Sequence, residues 1–357
     1  MSLTKPSHMA TEALQGPATA AHLLSQDAPL YDALAADLVA DDPHALLTVA
    51  RGSSDHAAHY MAYLVMARLG RLVTSLPMSL VTLYSSQLRC QGLVSLAFSQ
   101  SGQSPDLIAP TRYFREGGAR TVAFVNDAAS PLAQASEWVL PLHAGVEASV
   151  AATKSFINQM VAGARLVAHW ENLALQGATR PGLHELQDLL HALHSLPDAL
   201  LAATHCDWSA AVPVLQPVDR LFVISRGTGL AVAMEAALKF KETCAIQAEA
   251  YSGAEVRHGP MALVDAGYPV LILAPRGPAQ PGLLALAQDM RSRGAQVLLA
   301  APAGTAGAEL PLAPTAHEDL DPISVVQSFY PMVEALARAR GLNPDTPRHL
   351  TKVTRTR

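Results

Sequence analysis

Short runs rich in Val, Leu, Ile and Phe alternate along the chain with longer Ala- and Leu-rich stretches, the pattern of βαβ units wound on a parallel sheet. In the first half these runs predict strands at LLTVA (46–50), LVSLAF (93–98), TVAFVN (121–126) and WVLPL (138–142). The second half repeats the order with RLFVIS (220–225), YPVLILA (268–274), AQVLLAA (295–301) and ELPLA (309–313). Helical apolar spacing marks PATAAHLLSQ (17–26), DLLHALHSL (188–196), GLAVAMEAALKFKETC (229–244) and VVQSFYPMVEALARAR (325–340) as helices. The fold class is α/β.

The order of elements is duplicated. Arg51-Gly52 and Arg226-Gly227 lie 175 residues apart, Gly102 and Gly277 again 175, and Gly118-Ala119 and Gly294-Ala295 176. Strand-turn landmarks at nearly one offset predict two copies of one domain. The expected organisation is a helical arm over 1–27, a first domain over 28–200, a second over 201–340 and a tail over 341–357.

Half of the 357 residues are apolar, 15% are charged and the mean hydropathy is +0.19, a composition that excludes disordered and collagen-like classes. The formal charge of −5 offers no broad attraction for a phosphate polymer or an anionic membrane, so neither a nucleic-acid nor a membrane partner is expected. Apolar runs such as PVLILAP end in Pro, Gly or charge, short of the roughly 18 residues of a spanning helix. Three scattered cysteines, Cys90, Cys206 and Cys244, give neither a disulfide framework nor a zinc spacing, and fit reduced thiols in the cytoplasm. His56 and His59, or His184, His191 and His194, are read as solvated helix faces rather than ligand pairs, and no metal is expected.

Within this frame the loop SQSGQSPD (99–106) carries the most chemistry. It follows a strand and supplies Ser99, Gln100, Ser101 and Ser104, with Gly102 allowing a close backbone approach. Ser104 is a candidate N-cap with Pro105 at the first helical position, so backbone N–H groups and a positive dipole end would face a bound group, which suits a phosphate monoester. An ordinary capped turn would use the same residues. RGSSDHAA (51–58) repeats the chemistry with Gly52, Ser53 and Ser54. Neither loop is a GxGxxG or GxxxxGK[ST], so the phosphate is expected on a small metabolite rather than on a nucleotide.

A second constellation lies on the 229–244 helix, where Glu235, Lys239 and Glu242 share one face. A solvated face with an ordinary i,i+4 pair is the simpler reading of that spacing alone, worth about 0.3 kcal/mol. The following loop places His258 within 20 residues of them, and Lys352 stands near the chain end, where a frayed basic terminus would look the same.

Both halves resemble SIS (sugar isomerase) domains. The whole chain is similar to the isomerase half of glutamine–fructose-6-phosphate aminotransferases, on MATEALQGP, RGSSDHAA, SQSGQSPD, SVAATKSF, EAALKFKE, AEAYSGAEVRHGP and DTPRHLTK. RGSSDHAA and SVAATKSF look more like the stand-alone glucosamine-6-phosphate deaminases of the family. The resemblance implies two tandem flavodoxin-like domains and a homodimer with a shared active site. It assigns phosphate binding to Ser99, Gln100, Ser101 and Ser104, and sugar contacts to Ser54 and Val150. It makes Glu242 the base between C1 and C2 and Lys239 an assistant at the neighbouring oxygen. It also makes His258, from the partner subunit, the ring-opening group, and Lys352 a Schiff-base lysine.

Departures are Ala152 for a sugar-contacting serine, Gln247 for a histidine, Arg257 for a lysine and Ser104 for a threonine. Position 2 is Ser2 rather than a glutamine-hydrolysing cysteine, so no built-in ammonia source is expected. A general base works best near the operating pH, which favours a Glu242 tuned toward neutrality, and Lys352 must be neutral to attack a carbonyl. The expectation is a cofactor-free enzyme that converts glucosamine 6-phosphate and water to fructose 6-phosphate and ammonia. A fructosamine-6-phosphate deglycase, an ammonia-dependent synthase-type isomerase and a non-catalytic sugar-phosphate regulator are the alternatives.

Overall fold

The computed structural model describes residues 5–175 and 188–352, so His184 lies outside the described residues. Two five-stranded sheets, parallel throughout, are built from β1 (Ala45–Val49), β2 (Leu72–Ser75), β3 (Leu93–Ser99), β4 (Arg120–Val125) and β5 (Trp138–Pro141), and from β6 (Arg220–Ser225), β7 (Gln247–Ser252), β8 (Pro269–Leu273), β9 (Gln296–Pro302) and β10 (Leu310–Leu312). The first runs β2-β1-β3-β4-β5 and the second, read from its far edge, β7-β6-β8-β9-β10. Both are the flavodoxin-like order 2-1-3-4-5, and the predicted duplication holds in the topology itself. The three glycine pairs that revealed the repeat adopt positive φ in both copies: Gly52 and Gly227, Gly102 and Gly277, Gly118 and Gly294.

The eight strands expected from the sequence are present. Two others, β2 and β7, were not anticipated, and both are edge strands. Central strands covered on both faces read as continuous apolar runs, whereas LVTS of β2 is largely exposed and QAEAYS of β7 is mostly polar. The stretch after the Leu230–Cys244 helix, expected as a loop from residue 249, thus pairs with β6 before it turns.

The chain divides into two compact units. One holds the first sheet and comprises 18–146, 155–194 and 351–357. Its core packs Leu47, Val49, Ala97, Ala123 and Val125 against Leu107, Phe114 and Leu132. The other holds the second sheet and comprises 1–17, 147–154 and 195–350. There Phe222, Ile224, Val270, Ile272 and Leu299 pack against Leu283, Leu286 and Met290. In this unit Glu12 accepts the N–H groups of Ala148 and Ser149, and Asp345 accepts those of His8 and Met9 at 2.8 Å each. The first part of the arm, the 147–154 segment and the Asp345 region of the tail are thereby bonded within one unit. No described helix is long and apolar enough to cross a membrane.

Candidate active site

In a 2-1-3-4-5 sheet the chain leaves β1 and β3 in opposite directions, which opens a crevice at their carboxyl ends. Here that crevice is a cleft of about 270 Å³ lined by the two loops singled out from the sequence: Gly52 and Ser54 after β1, and Ser99, Gln100, Ser101 and Ser104 after β3. Gly52 takes φ 54°, ψ −134°, a conformation that side-chain-bearing residues avoid, and this aims the Ser53–Leu64 helix at the cleft. Ser104 holds the N-cap position and Pro105 opens the Pro105–Glu116 helix, although the Ser104 side chain makes no capping bond.

Two residues of this loop also have structural work. The Ser99 hydroxyl, buried, accepts the Gly102 N–H at 3.0 Å and shapes the turn. At Gly102 (φ 64°) an added Cβ would lie 2.2 Å from Ser130 Oγ and 2.8 Å from a Val125 methyl, so packing against the β4 side requires this glycine. The Gly102 carbonyl accepts the Leu132 N–H at 3.1 Å, and the Gln100 carbonyl that of Asn126 at 3.3 Å, which pins the loop from behind.

Three contributors to this cleft were not foreseen. Arg51 Nε donates to Asp106 Oδ2 at 3.2 Å, bridging the two loops, and both line the cleft. Asp106 is buried while the Arg51 side chain stays 60% exposed, leaving guanidinium N–H donors for an anion. Gln159 Nε2, from the Lys154–Leu175 helix, donates to Ser54 Oγ at 2.9 Å and fixes that hydroxyl. Arg51 opens one motif and Asp106 closes the other, so both were readable there; Gln159, 105 residues from Ser54, was not. Lys352 lines the same cleft. With Arg51 and Lys352 against Asp106 the cleft carries one net positive charge. Ser53 and Val150 do not line it; the Val150 N–H donates to the Asp345 carbonyl at 3.1 Å in the other unit.

In that other unit the acid–amine face of the Leu230–Cys244 helix is buried, contrary to the solvated reading. Glu235 and Lys239 are wholly inside, and the Glu242 side chain is one-fifth exposed. Lys239 Nζ lies 3.2 Å from Glu235 Oε1 and 2.5 Å from Glu242 Oε2, and the Tyr330 hydroxyl donates to Glu235 Oε1 at 3.3 Å. Burial by itself would favour a neutral amine, but the two carboxylates outweigh it and hold Lys239 above its ordinary range. Burial, reinforced by Glu235, pushes the Tyr330 phenol well up. Glu242 faces a cleft of about 250 Å³ lined by Lys241 and the tail residues Thr346, Pro347, Arg348 and His349. His258 is exposed, at the end of a short 3₁₀ turn, and lines neither cleft.

The SIS domain model matches residues 41–168 and 214–327, one stretch for each sheet. The chain belongs to the SIS domain family. Among relatives, a glutamine–fructose-6-phosphate aminotransferase of Aeropyrum pernix is 36% identical over 320 residues, covering 86% of this chain and 50% of the relative. The chain thus spans about half the length of the curated relatives it matches. A solved structure from Silicibacter pomeroyi DSS-3, a provisionally assigned phosphosugar isomerase, is 42% identical with a TM-score of 0.85, covering 95% of this chain and 100% of that one. A glucosamine-6-phosphate deaminase of Thermotoga maritima shares the fold, with a TM-score of 0.74 at 20% identity over 98% of this chain and 100% of that one.

Proposed function

We propose that this SIS protein is a phosphosugar isomerase whose reaction is the deamination of glucosamine 6-phosphate to fructose 6-phosphate and ammonia. The observation that carries the reading is the cleft at the carboxyl ends of β1 and β3, where hydroxyls, a helix N-terminus, Arg51 and Lys352 converge. A phosphate monoester is a dianion with three acceptor oxygens, and it suits donors of that kind and number.

His258 opens the sugar ring. Glu242 removes the proton from C2 of the open-chain amino aldehyde and returns it to C1, which turns C1 into an alcohol carbon and C2 into an imine. Water adds to C2 and ammonia leaves, so one water is consumed for each ammonia released. Lys239, with its hydrogen bonds to Glu235 and Glu242, is a positioning residue that aims the Glu242 carboxylate and touches no sugar atom. Lys352 serves the carbonyl end of a sugar bound in the cleft that it lines. His258 acts from the partner subunit of a homodimer.

One observation favours a second reading. Lys241, Arg348 and His349 surround the Glu242 cleft and would receive an acidic substituent on the sugar nitrogen, as a deglycase for amino-acid adducts requires. Incubation with a panel of amino-sugar 6-phosphates, following ammonia and fructose 6-phosphate together, separates the two. Equimolar release from glucosamine 6-phosphate supports the deaminase, and turnover of amino-acid adducts alone overturns it.

A further inference from the structure

The buried face of the Leu230–Cys244 helix holds more ionisable groups than a single proton transfer uses. Lys239 presents three N–H donors to two carboxylates, and its contacts are unequal, 3.2 Å to Glu235 Oε1 and 2.5 Å to Glu242 Oε2. Glu235 is wholly enclosed and Glu242 one-fifth exposed, so Coulomb attraction alone should draw the ammonium more strongly to Glu235, where no water screens it. The ammonium nevertheless leans toward Glu242.

Tyr330 accounts for this. It lies on the Asp321–Ala339 helix, fully buried, and its hydroxyl donates at 3.3 Å to Glu235 Oε1, the same oxygen that Lys239 approaches. Two donors share that oxygen, and each lessens its pull on the other. Burial, with Glu235, Glu147 and Glu242 nearby, keeps the phenol protonated, so the hydroxyl donates throughout the ordinary pH range. The groups facing Glu242 are Lys239 and Glu235 on its own helix, Tyr330, and Glu147 beside Tyr330 from the 147–154 segment. Lys241, Arg348 and His349 face it across the cleft. Of these, Tyr330 is bonded to Glu235, at the end of the triad that does not line the cleft.

We infer that Tyr330 is a positioning residue: by donating to Glu235 it keeps the Lys239 ammonium on Glu242 and so sets the strength of that base. This role presupposes the Glu242 chemistry proposed above. Without the hydroxyl, Glu235 draws the ammonium to itself, and Glu242, held less tightly as an anion, takes up a proton at a higher pH than in the parent. Without the Glu235 charge the ammonium serves Glu242 alone, and the shift has the opposite sign.

Exchange of the C1 protons of fructose 6-phosphate in D₂O, followed across pH at saturating sugar, tests it. Tyr330→Phe is expected to move the acid limb of the rate up by about one pH unit, a roughly tenfold loss on that limb, with KM little changed, and Glu235→Gln to move it down. A phenol that only filled space would cost stability and leave the limb in place. An unmoved limb in folded Tyr330→Phe, or shifts of one sign in both variants, would overturn the inference. Should Tyr330→Phe fail to fold, 3-fluorotyrosine in place of Tyr330, a stronger donor of nearly the same shape, is expected to move the limb down, and a limb that stays or rises overturns it. No exchange by the parent counts against the sugar-phosphate reading instead. Crystal structures of the parent and Tyr330→Phe then decide: Lys239 Nζ nearer Glu235 and farther from Glu242 in the variant supports the inference, and an unmoved amine overturns it.

Discussion

Lys239→Met is the sharpest test of the buried triad. The side chain of Lys239 is completely enclosed, and methionine fills nearly the same volume, so the substitution removes charge with little change in packing. What remains is Glu235, also completely enclosed, whose ion pair with Lys239 is lost while the Tyr330 hydroxyl stays at 3.3 Å. Removing one member of a buried pair strands the other, at a cost of about 3–5 kcal/mol. In a protein of 357 residues that lowers the melting temperature by roughly 4–7 °C, at about 1.3 °C per kcal/mol. Glu235→Gln leaves Lys239 with Glu242 and costs about 1–3 kcal/mol, the range for a lost charged hydrogen bond. The double variant should be more stable than the sum of the two predicts, with a coupling of about 2 kcal/mol in a double-mutant cycle. Equilibrium urea denaturation of the four proteins reads these values. A Lys239→Met protein within about 1 kcal/mol of the parent, or strict additivity, would refute the reasoning.

Three further outcomes are expected. Ser101→Ala removes one hydroxyl from the cleft proposed to bind phosphate and should raise KM roughly 30-fold with kcat little changed, the signature of a uniform binding contact worth about 2 kcal/mol, read from steady-state kinetics. Gly102→Ala forces a Cβ to 2.2 Å from Ser130 Oγ at a positive φ and should cost about 3 kcal/mol in denaturation, whereas a merely ligand-facing glycine would tolerate the methyl. His169 is held below its ordinary 6.5 by burial, which outweighs the hydrogen bond to Asp32. Its contribution to stability is therefore present above pH 6.5 and is lost as pH falls through the lowered value, so the acid limb of the pH–stability profile should be shallower in His169→Gln than in the parent.

The central strands were readable because a strand buried on both faces must be apolar along its whole length, and β2 and β7 were missed because an edge strand need not be. The cleft at the ends of β1 and β3 was readable because its polar side chains sit on two local motifs that the 2-1-3-4-5 order brings to one crevice. The Arg51–Asp106 bridge spans 55 residues and the Gln159–Ser54 bond 105, and no local pattern announces either. For the triad, the i, i+4, i+7 spacing gave the shared face but not its burial. A signal for burial was present: Ala231, Val232, Ala233, Ala236, Ala237 and Phe240 make the helix apolar almost all round, which marks an interior helix rather than a surface one. Its charged face therefore had to be paired inside the protein.

In the proposed reaction Glu242 moves a proton on a sugar phosphate, and hydrogen exchange measures that step without reference to the fate of the nitrogen. Fructose 6-phosphate incubated with the protein in D₂O and followed by proton NMR should lose its C1 proton signal with the parent, and at least 100-fold more slowly with Glu242→Gln, in keeping with the roughly 10²–10⁴-fold contribution of a general base. Exchange that persists unchanged in Glu242→Gln, or none in the parent when fructose 6-phosphate is shown to bind, would contradict it.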